Sequence, residues 1–398
     1  MLNNRQLFFQ YLAVPADVPD ALEIVKAEGI FLYDADGHDF IDLVSGVSVS
    51  NIGHRHPKVV KAIEDQLKKY LHLMVYGKYI QSPQVMLARL MTSKLPGNLQ
   101  SVFFVNSGSE AIEGALKLAK RVTGKSEIIA FNKAYHGSTH GAMSVLGDEQ
   151  MKYAYRPLLP EIKFLQFNNL DELKKITPET AAVIIEPIQA EAGIVVPSKD
   201  YMLALRDICN STNTLLIFDE VQMGFGRTGK LFAFEHFDAV PDIICLAKGM
   251  GGGMPIGAFV SRKEHMSTLT HNPALGHITT FGGHPVSCAA ALASLEVIIE
   301  DQLAEHADAK GKIFKKEIEK HETVDHIRQI GLMLAVELKK GNSVSKLVKI
   351  LQHNGLIVDQ FLFNNSSFRI APPLTISFNE IKLAIERLNR SLDTLLKK

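Results

Sequence analysis

The chain has 398 residues, is 46% hydrophobic, and carries 43 Lys+Arg against 43 Asp+Glu, so its formal net charge is zero. That size and apolar content suit one large globular body or two domains with an ample core. The charge balance gives no sign of a nucleic-acid partner, and no uninterrupted apolar stretch is long enough to span a bilayer.

Taken in order, residues 1–50 begin with a short helical stretch and no signal-peptide pattern, which leads us to expect a cytoplasmic protein. Alternating residues 29–34 and 40–43 flank the turn Asp34-Ala35-Asp36-Gly37 and read as a hairpin. A helix is expected over 57–71, with Pro57 in its first turn. From 100 to 260 the pattern changes to short continuous apolar runs at 102–105, 128–131, 164–167, 182–185, 215–218 and 243–246. Such runs mark strands covered on both faces. Helical stretches lie between several of them, including 109–121 and 199–211. The alternation predicts an α/β fold with a mostly parallel sheet, and ligands bound beyond the carboxyl ends of its strands. After residue 300 come a charged helix over 301–321, a strand at 331–338, a helix at 343–354, short strands at 356–359 and 368–371, and a last helix from Ser377. These read as a smaller α+β domain. The expected organisation is an N-terminal segment (1–50) packing with the small domain (301–398), and a large domain (51–300) between them. Cys209, Cys245 and Cys288 stand in apolar contexts and read as core thiols of a reducing compartment, not as a disulfide framework or a metal site.

Several constellations at strand ends carry chemistry. Lys248 follows an apolar run and precedes a glycine-rich turn. A partly desolvated amine there is a nucleophile able to form a Schiff base with a carbonyl. Asn106-Ser107-Gly108-Ser109-Glu110 joins a strand to a helix, and such a helix tip is an anion site. Asp219 ends the run 215–218, where a carboxylate can keep a pyridine nitrogen protonated. Tyr135, in Tyr135-His136-Gly137-Ser138, is placed to stack on a planar group. Glu186 and Glu191 follow the run 182–185 and suit orienting a ligand or pairing with a cation. Arg369, flanked by apolar residues, needs a carboxylate partner, from a substrate or from the protein. Thr279 and Thr280 precede a helix and suit phosphate or substrate contact. Read singly, each has a plainer alternative: a surface lysine, an ordinary helix cap, a packed tyrosine, a salt-bridged acid.

Together, the segments NSGSEAIEGALKLAKR, YHG, EPIQAEAG, FDEVQMGFGRTG, LAKGMGGGMPIGA, TTFGGHP and FRIAPPL occur in this order and resemble the class III pyridoxal-phosphate-dependent aminotransferases, especially the acetylornithine/ornithine branch. The resemblance covers nearly the whole chain and implies a fold-type I transferase. It implies that Lys248 holds pyridoxal 5'-phosphate and shuttles a proton, and that Asp219 pairs with the ring nitrogen. Val221 and Gln222 would contact the ring and its phenolic oxygen, Tyr135 would stack on it, and Ser107, Gly108 and Ser109 would hold the phosphate, with Glu186 also beside the cofactor. Thr280 would reach the phosphate of a neighbouring subunit, which implies a homodimer. Arg369 would grip the α-carboxylate of 2-oxoglutarate or glutamate, with Thr279 also among the substrate contacts. Glu191 would gate Arg369 when a terminal amine binds instead.

One departure bears on the donor. The acetylornithine and ornithine enzymes commonly carry an arginine where this chain has Ser138, and losing it removes charge-assisted binding of a donor carboxylate. Val47 also falls where a polar or aromatic substrate contact is expected. The reaction expected is transfer of a terminal amine to 2-oxoglutarate. The rivals are an aminomutase of the glutamate-1-semialdehyde type, a non-catalytic relative, and a nucleotide-binding oxidoreductase. The last is disfavoured because Met254 stands where a third fingerprint glycine is needed.

Overall fold

The computed structural model describes residues 2–16 and 20–397; positions 1, 17–19 and 398, which the expected terminal segments include, lie outside them. Three sheets organise the chain. The first strands are β1 (Ile24–Glu28), β2 (Phe31–Asp34) and β3 (Asp39–Asp42). The central strands are β4 (Ser101–Val105), β5 (Glu127–Phe131), β6 (Ile162–Leu165), β7 (Thr180–Ile185), β8 (Leu215–Asp219), β9 (Ile243–Leu246) and β10 (Gly257–Ser261). The last are β11 (Val324–Ile330), β12 (Met333–Leu338), β13 (Leu356–Ile357), β14 (Asp359–Gln360) and β15 (Ser367–Ile370).

The central sheet has the order β4-β10-β9-β8-β7-β5-β6. All its pairings are parallel except those of β10, which runs antiparallel to β9 and β4. This is the mostly parallel α/β sheet expected, and the continuous apolar runs explain it. Both faces are covered, so successive residues serve opposite layers. Val183 and Ile185 belong to one core with Leu216 and Phe218; Ala182 and Ile184 belong to another with Ile112 and Ala115 of the helix Gly108–Thr123. That helix lies close on the sheet: a Cβ on Gly114 would strike the Phe259 ring of β10.

β11, β12, β15 and β14 form a second sheet, with Ala335 opposite Arg369. β1, β2, β3 and β13 form a third, in which β13 pairs in parallel with β3. Residues far apart in the chain thus share a sheet.

Several boundaries differ from expectation. The helix expected over 57–71 ends at Leu67, because the Gln66 side chain turns back to the Tyr70 carbonyl (2.9 Å). The charged helix spans Leu303–Ile318, separated from the helix Pro285–Glu300 by Gln302 in the left-handed region (φ 51°). β6 starts earlier than 164, and Phe167 lies past its end, packed on Phe131 and Tyr201. β1, a largely exposed strand, and β11, a largely polar one, were missed by the apolar pattern. Among the described residues no helix is long and apolar enough to cross a membrane.

Candidate active site

The carboxyl ends of neighbouring strands bring the site together. Asp219 is the last residue of β8 and lies opposite Cys245 of β9; Lys248 follows β9 directly. Lys248 adopts φ 47°, a left-handed conformation that costs a β-carbon residue of order 1–2 kcal/mol and concentrates at functional sites. Its Nζ donates to Gln222 Oε1 at 3.1 Å. Burial drives the Lys248 pKa down, and Arg369 adds to this, while Glu191, Asp219 and Glu186 pull it back. Lowering that pKa raises the share of free amine, the nucleophilic form.

Asp219 is buried. Its Oδ1 accepts the Val221 N–H (3.0 Å), and its Oδ2 accepts from His136 Nδ1 (2.7 Å). His136 is a functional neighbour that sequence reasoning passed over. It lay inside the Tyr135–Ser138 run, but no spacing rule ties that run to Asp219.

Glu186 follows β7 and braces two loops, accepting the N–H of Tyr135 (3.0 Å) and of Ala190 (2.9 Å). Burial pushes its pKa up to about 7, with Asp219 adding to the rise and His136 opposing it. Glu186 thereby fixes both the loop of Tyr135 and the approach to Glu191.

Ser107 caps the helix Gly108–Thr123, its side chain accepting from the Glu110 N–H. The N–H groups of Gly108 and Ser109 have no acceptor within the helix, which is what makes a helix start an anion site. The loop of Tyr135 packs onto this helix start: Ser138 N–H points at Ser109 Oγ (3.4 Å), and a Cβ on Gly137 would strike that hydroxyl. The Tyr135 and Ser138 hydroxyls lie 3.1 Å apart.

Gly108, Ser109, Tyr135, His136, Glu186, Asp219, Val221, Gln222 and Lys248 line one cavity of about 180 Å³. Arg369 and Glu191 form a buried ion pair (2.6 Å), with the guanidinium over the Phe361 ring. Thr279 and Thr280 do not line this cavity. The Thr279 hydroxyl accepts from the Asn106 amide (2.9 Å), and the exposed Thr280 hydroxyl lies 3.4 Å from the Tyr76 hydroxyl. Val47 lies outside the cavity, in a left-handed stretch from Ser45 to Ser48. A larger hollow, about 580 Å³, opens between Tyr76, Val85, Phe103, Leu275 and Ile278, but no acid or amine lines it.

The cavity fits the cofactor that the resemblance implies. An anion-accepting helix tip lies at one part, an acid at a strand end and an amine at the next strand end. Among the described residues Gln222 Nε2, a donor, and His136 Nε2 are buried with no partner, polar atoms left over for a ligand.

Comparison with known proteins agrees. The profile of the family "Aminotransferase class-III" matches residues 12–392. An acetylornithine aminotransferase of Methanopyrus kandleri is 38% identical over 93% of this chain and 94% of its own. The ornithine aminotransferase of Toxoplasma gondii superposes with TM-score 0.92 at 29% identity, covering 100% of this chain and 96% of that one. An (S)-enantioselective omega-transaminase of Thermomicrobium roseum superposes with TM-score 0.91 at 29% identity over 100% of both chains. The chain therefore belongs to the class-III aminotransferases, enzymes that depend on pyridoxal phosphate.

Proposed function

We propose that this aminotransferase moves the terminal amino group of an ω-amino donor to 2-oxoglutarate, giving an aldehyde or ketone and glutamate, and that it does so as a homodimer. The observation that carries this reading is the Arg369–Glu191 pair, buried within electrostatic reach of Lys248. A two-substrate enzyme must accept an amine-ended donor and a dicarboxylate in turn. With Glu191 on the guanidinium, the charge is neutralised and a donor tail is tolerated. With Glu191 turned away, Arg369 offers a planar fork to a carboxylate. Arg369 Nε and Nη1 have no protein partner, which supports the second state.

Pyridoxal phosphate, when bound, supplies an electron sink for the carbon that loses its proton. The chain's own residues do the rest. Gly108 and Ser109, capped by Ser107, hold the phosphate. Asp219, held by His136, keeps the ring nitrogen protonated. Tyr135, Val221 and Gln222 confine the ring, and Glu186 holds the Tyr135 loop. Lys248 would hold the cofactor through its aldehyde group and, with its amine free, would take the proton from the donor's amine-bearing carbon.

Exposed apolar side chains support a dimer. Leu275, Ile278 and Phe281 stand at least half exposed around the larger hollow, next to Thr279 and Thr280, and Ile80 is 95% exposed nearby in sequence to Tyr76. A second copy on this face would cover them and bring Thr280 to its site. The buried free cysteines suit a reducing, cytoplasmic setting.

The test is a panel of ornithine, acetylornithine, lysine, 4-aminobutyrate and β-amino acids with 2-oxoglutarate, scored by glutamate formed. Glutamate from at least one terminal amine is expected. Amine shift within one molecule and no need for 2-oxoglutarate would instead establish the aminomutase reading.

A further inference from the structure

Arg227 belongs to the Gly-Arg-Thr-Gly run after Gln222, and no step above uses it. It is completely buried, yet among the described residues no carboxylate pairs with it. Nη1 donates to the carbonyls of Leu332 (3.0 Å) and Pro372 (2.6 Å), and Nη2 donates to Asn51 Oδ1 (2.6 Å). A buried cation without a counter-ion is costly. Burial lowers its pKa to about 9, with Asp42 pulling the other way.

The arginine joins three segments at that cost. Leu332 lies in the turn between β11 and β12, and its N–H returns to the Arg227 carbonyl (3.1 Å). Pro372 leaves β15, the strand of Arg369. Asn51 donates to the Phe225 carbonyl (3.1 Å) and accepts the Leu374 N–H (2.7 Å). It also presses on the turn of Lys248, where a Cβ on Gly249 would strike its amide. One guanidinium therefore links the exit of the Arg369 strand and the turn entering its neighbour β12, through one amide, to the turn that carries the reactive amine.

We propose that Arg227 is a positioning residue that sets the separation between Arg369 and Lys248, and with it how tightly the enzyme grips the acceptor's α-carboxylate. This rests on the reading of Arg369 as the acceptor's grip. The donor half of the reaction runs with Arg369 covered by Glu191, so the tie bears on the acceptor half. Lysine in place of Arg227 keeps the charge but lacks the planar fork that reaches three acceptors at once.

The experiment uses cofactor-loaded Arg227→Lys and Arg369→Gln protein. It reads the calorimetric affinity for glutarate, an unreactive dicarboxylate, and the rates of the two half-reactions after rapid mixing. For Arg227→Lys, glutarate should bind at least ~fivefold more weakly and the acceptor half should slow in step, with the donor half within ~twofold of the parent. Unchanged glutarate affinity, or equal slowing of both halves as a merely structural role gives, overturns the proposal. Arg369→Gln separates the two ideas: if it leaves glutarate binding intact, the grip itself is misassigned and the proposal falls with it. Should Arg227→Lys fail to fold, Arg227→Gln removes the fork and the buried charge while leaving Asn51 and the Lys248 turn in place. Weaker glutarate binding with an unaltered donor half is again the expected result, and parental affinity the contrary one.

Discussion

Ser138 stands where the family resemblance implies an arginine, and its position gives that difference a physical meaning. It is exposed, on the loop of Tyr135, with its hydroxyl against the tyrosine's. A donor carboxylate arriving there meets two hydroxyls and no guanidinium. A hydrogen bond to a charged group contributes about 1.5–3 kcal/mol, roughly tenfold or more in affinity. Ser138→Arg should therefore lower KM for acetylornithine at least ~tenfold while leaving KM for butylamine, an amine with no carboxylate to offer, nearly as it was. Steady-state kinetics with both donors checks this; an equal change for both would remove Ser138 from the specificity argument. Lys248 and Asp219 were readable because each ends a continuous apolar run, and a strand's carboxyl end is where ligands bind. His136 and the bracing contacts of Glu186 were not, because they join loops that follow different strands, and only the folded sheet sets those loops side by side.

At the scale of elements, the loop from Glu220 to Phe234 is closed by one acid. The Glu220 carboxylate oxygens accept the N–H groups of Ala233 and Phe234, each at 2.7 Å. These donors favour the charged form, but burial outweighs them and pushes the pKa up to about 8. A carboxyl whose folded pKa lies above its unfolded value stabilises the fold fully below about 4.5, and that contribution is lost as pH rises through about 8. Glu220→Gln cannot titrate. Its urea midpoint should change less than the parent's between pH 5.5 and 8, and should be lower throughout by ~1–3 kcal/mol in stability, because its amide NH₂ faces a backbone N–H. Parallel pH dependences would contradict the assignment. Elements with a strong pattern were legible: β7, β8 and β9 carry the apolar runs 181–185, 215–218 and 243–246, and Ser377 opens the last helix as a capping box. β1 and β11 were not, because their residues are mostly polar or exposed and their strand form comes from pairing with β2 and β12.

For the whole molecule, the α/β class followed from alternation along the chain, whereas the union of β3 with β13 did not. Nothing local in a two-residue strand names a partner so far away in the chain. Assembly carries its own prediction. Phe281 is 54% exposed on the segment of Thr280. If the proposed dimer forms on this face, Phe281→Asp should place a charge in its interface, shift the protein to monomer in sedimentation velocity, and reduce turnover in proportion, since each site would borrow Thr280. A variant that stays dimeric, or a monomer with full activity, would refute the shared site. The central claim is that Lys248 is the amine that holds the cofactor opposite Asp219. The most direct measurement is borohydride reduction of the enzyme with pyridoxal phosphate, followed by peptide mapping by mass spectrometry. The account predicts one phosphopyridoxyl group per chain, on Lys248; labelling spread over surface lysines, or no stable label, would contradict it.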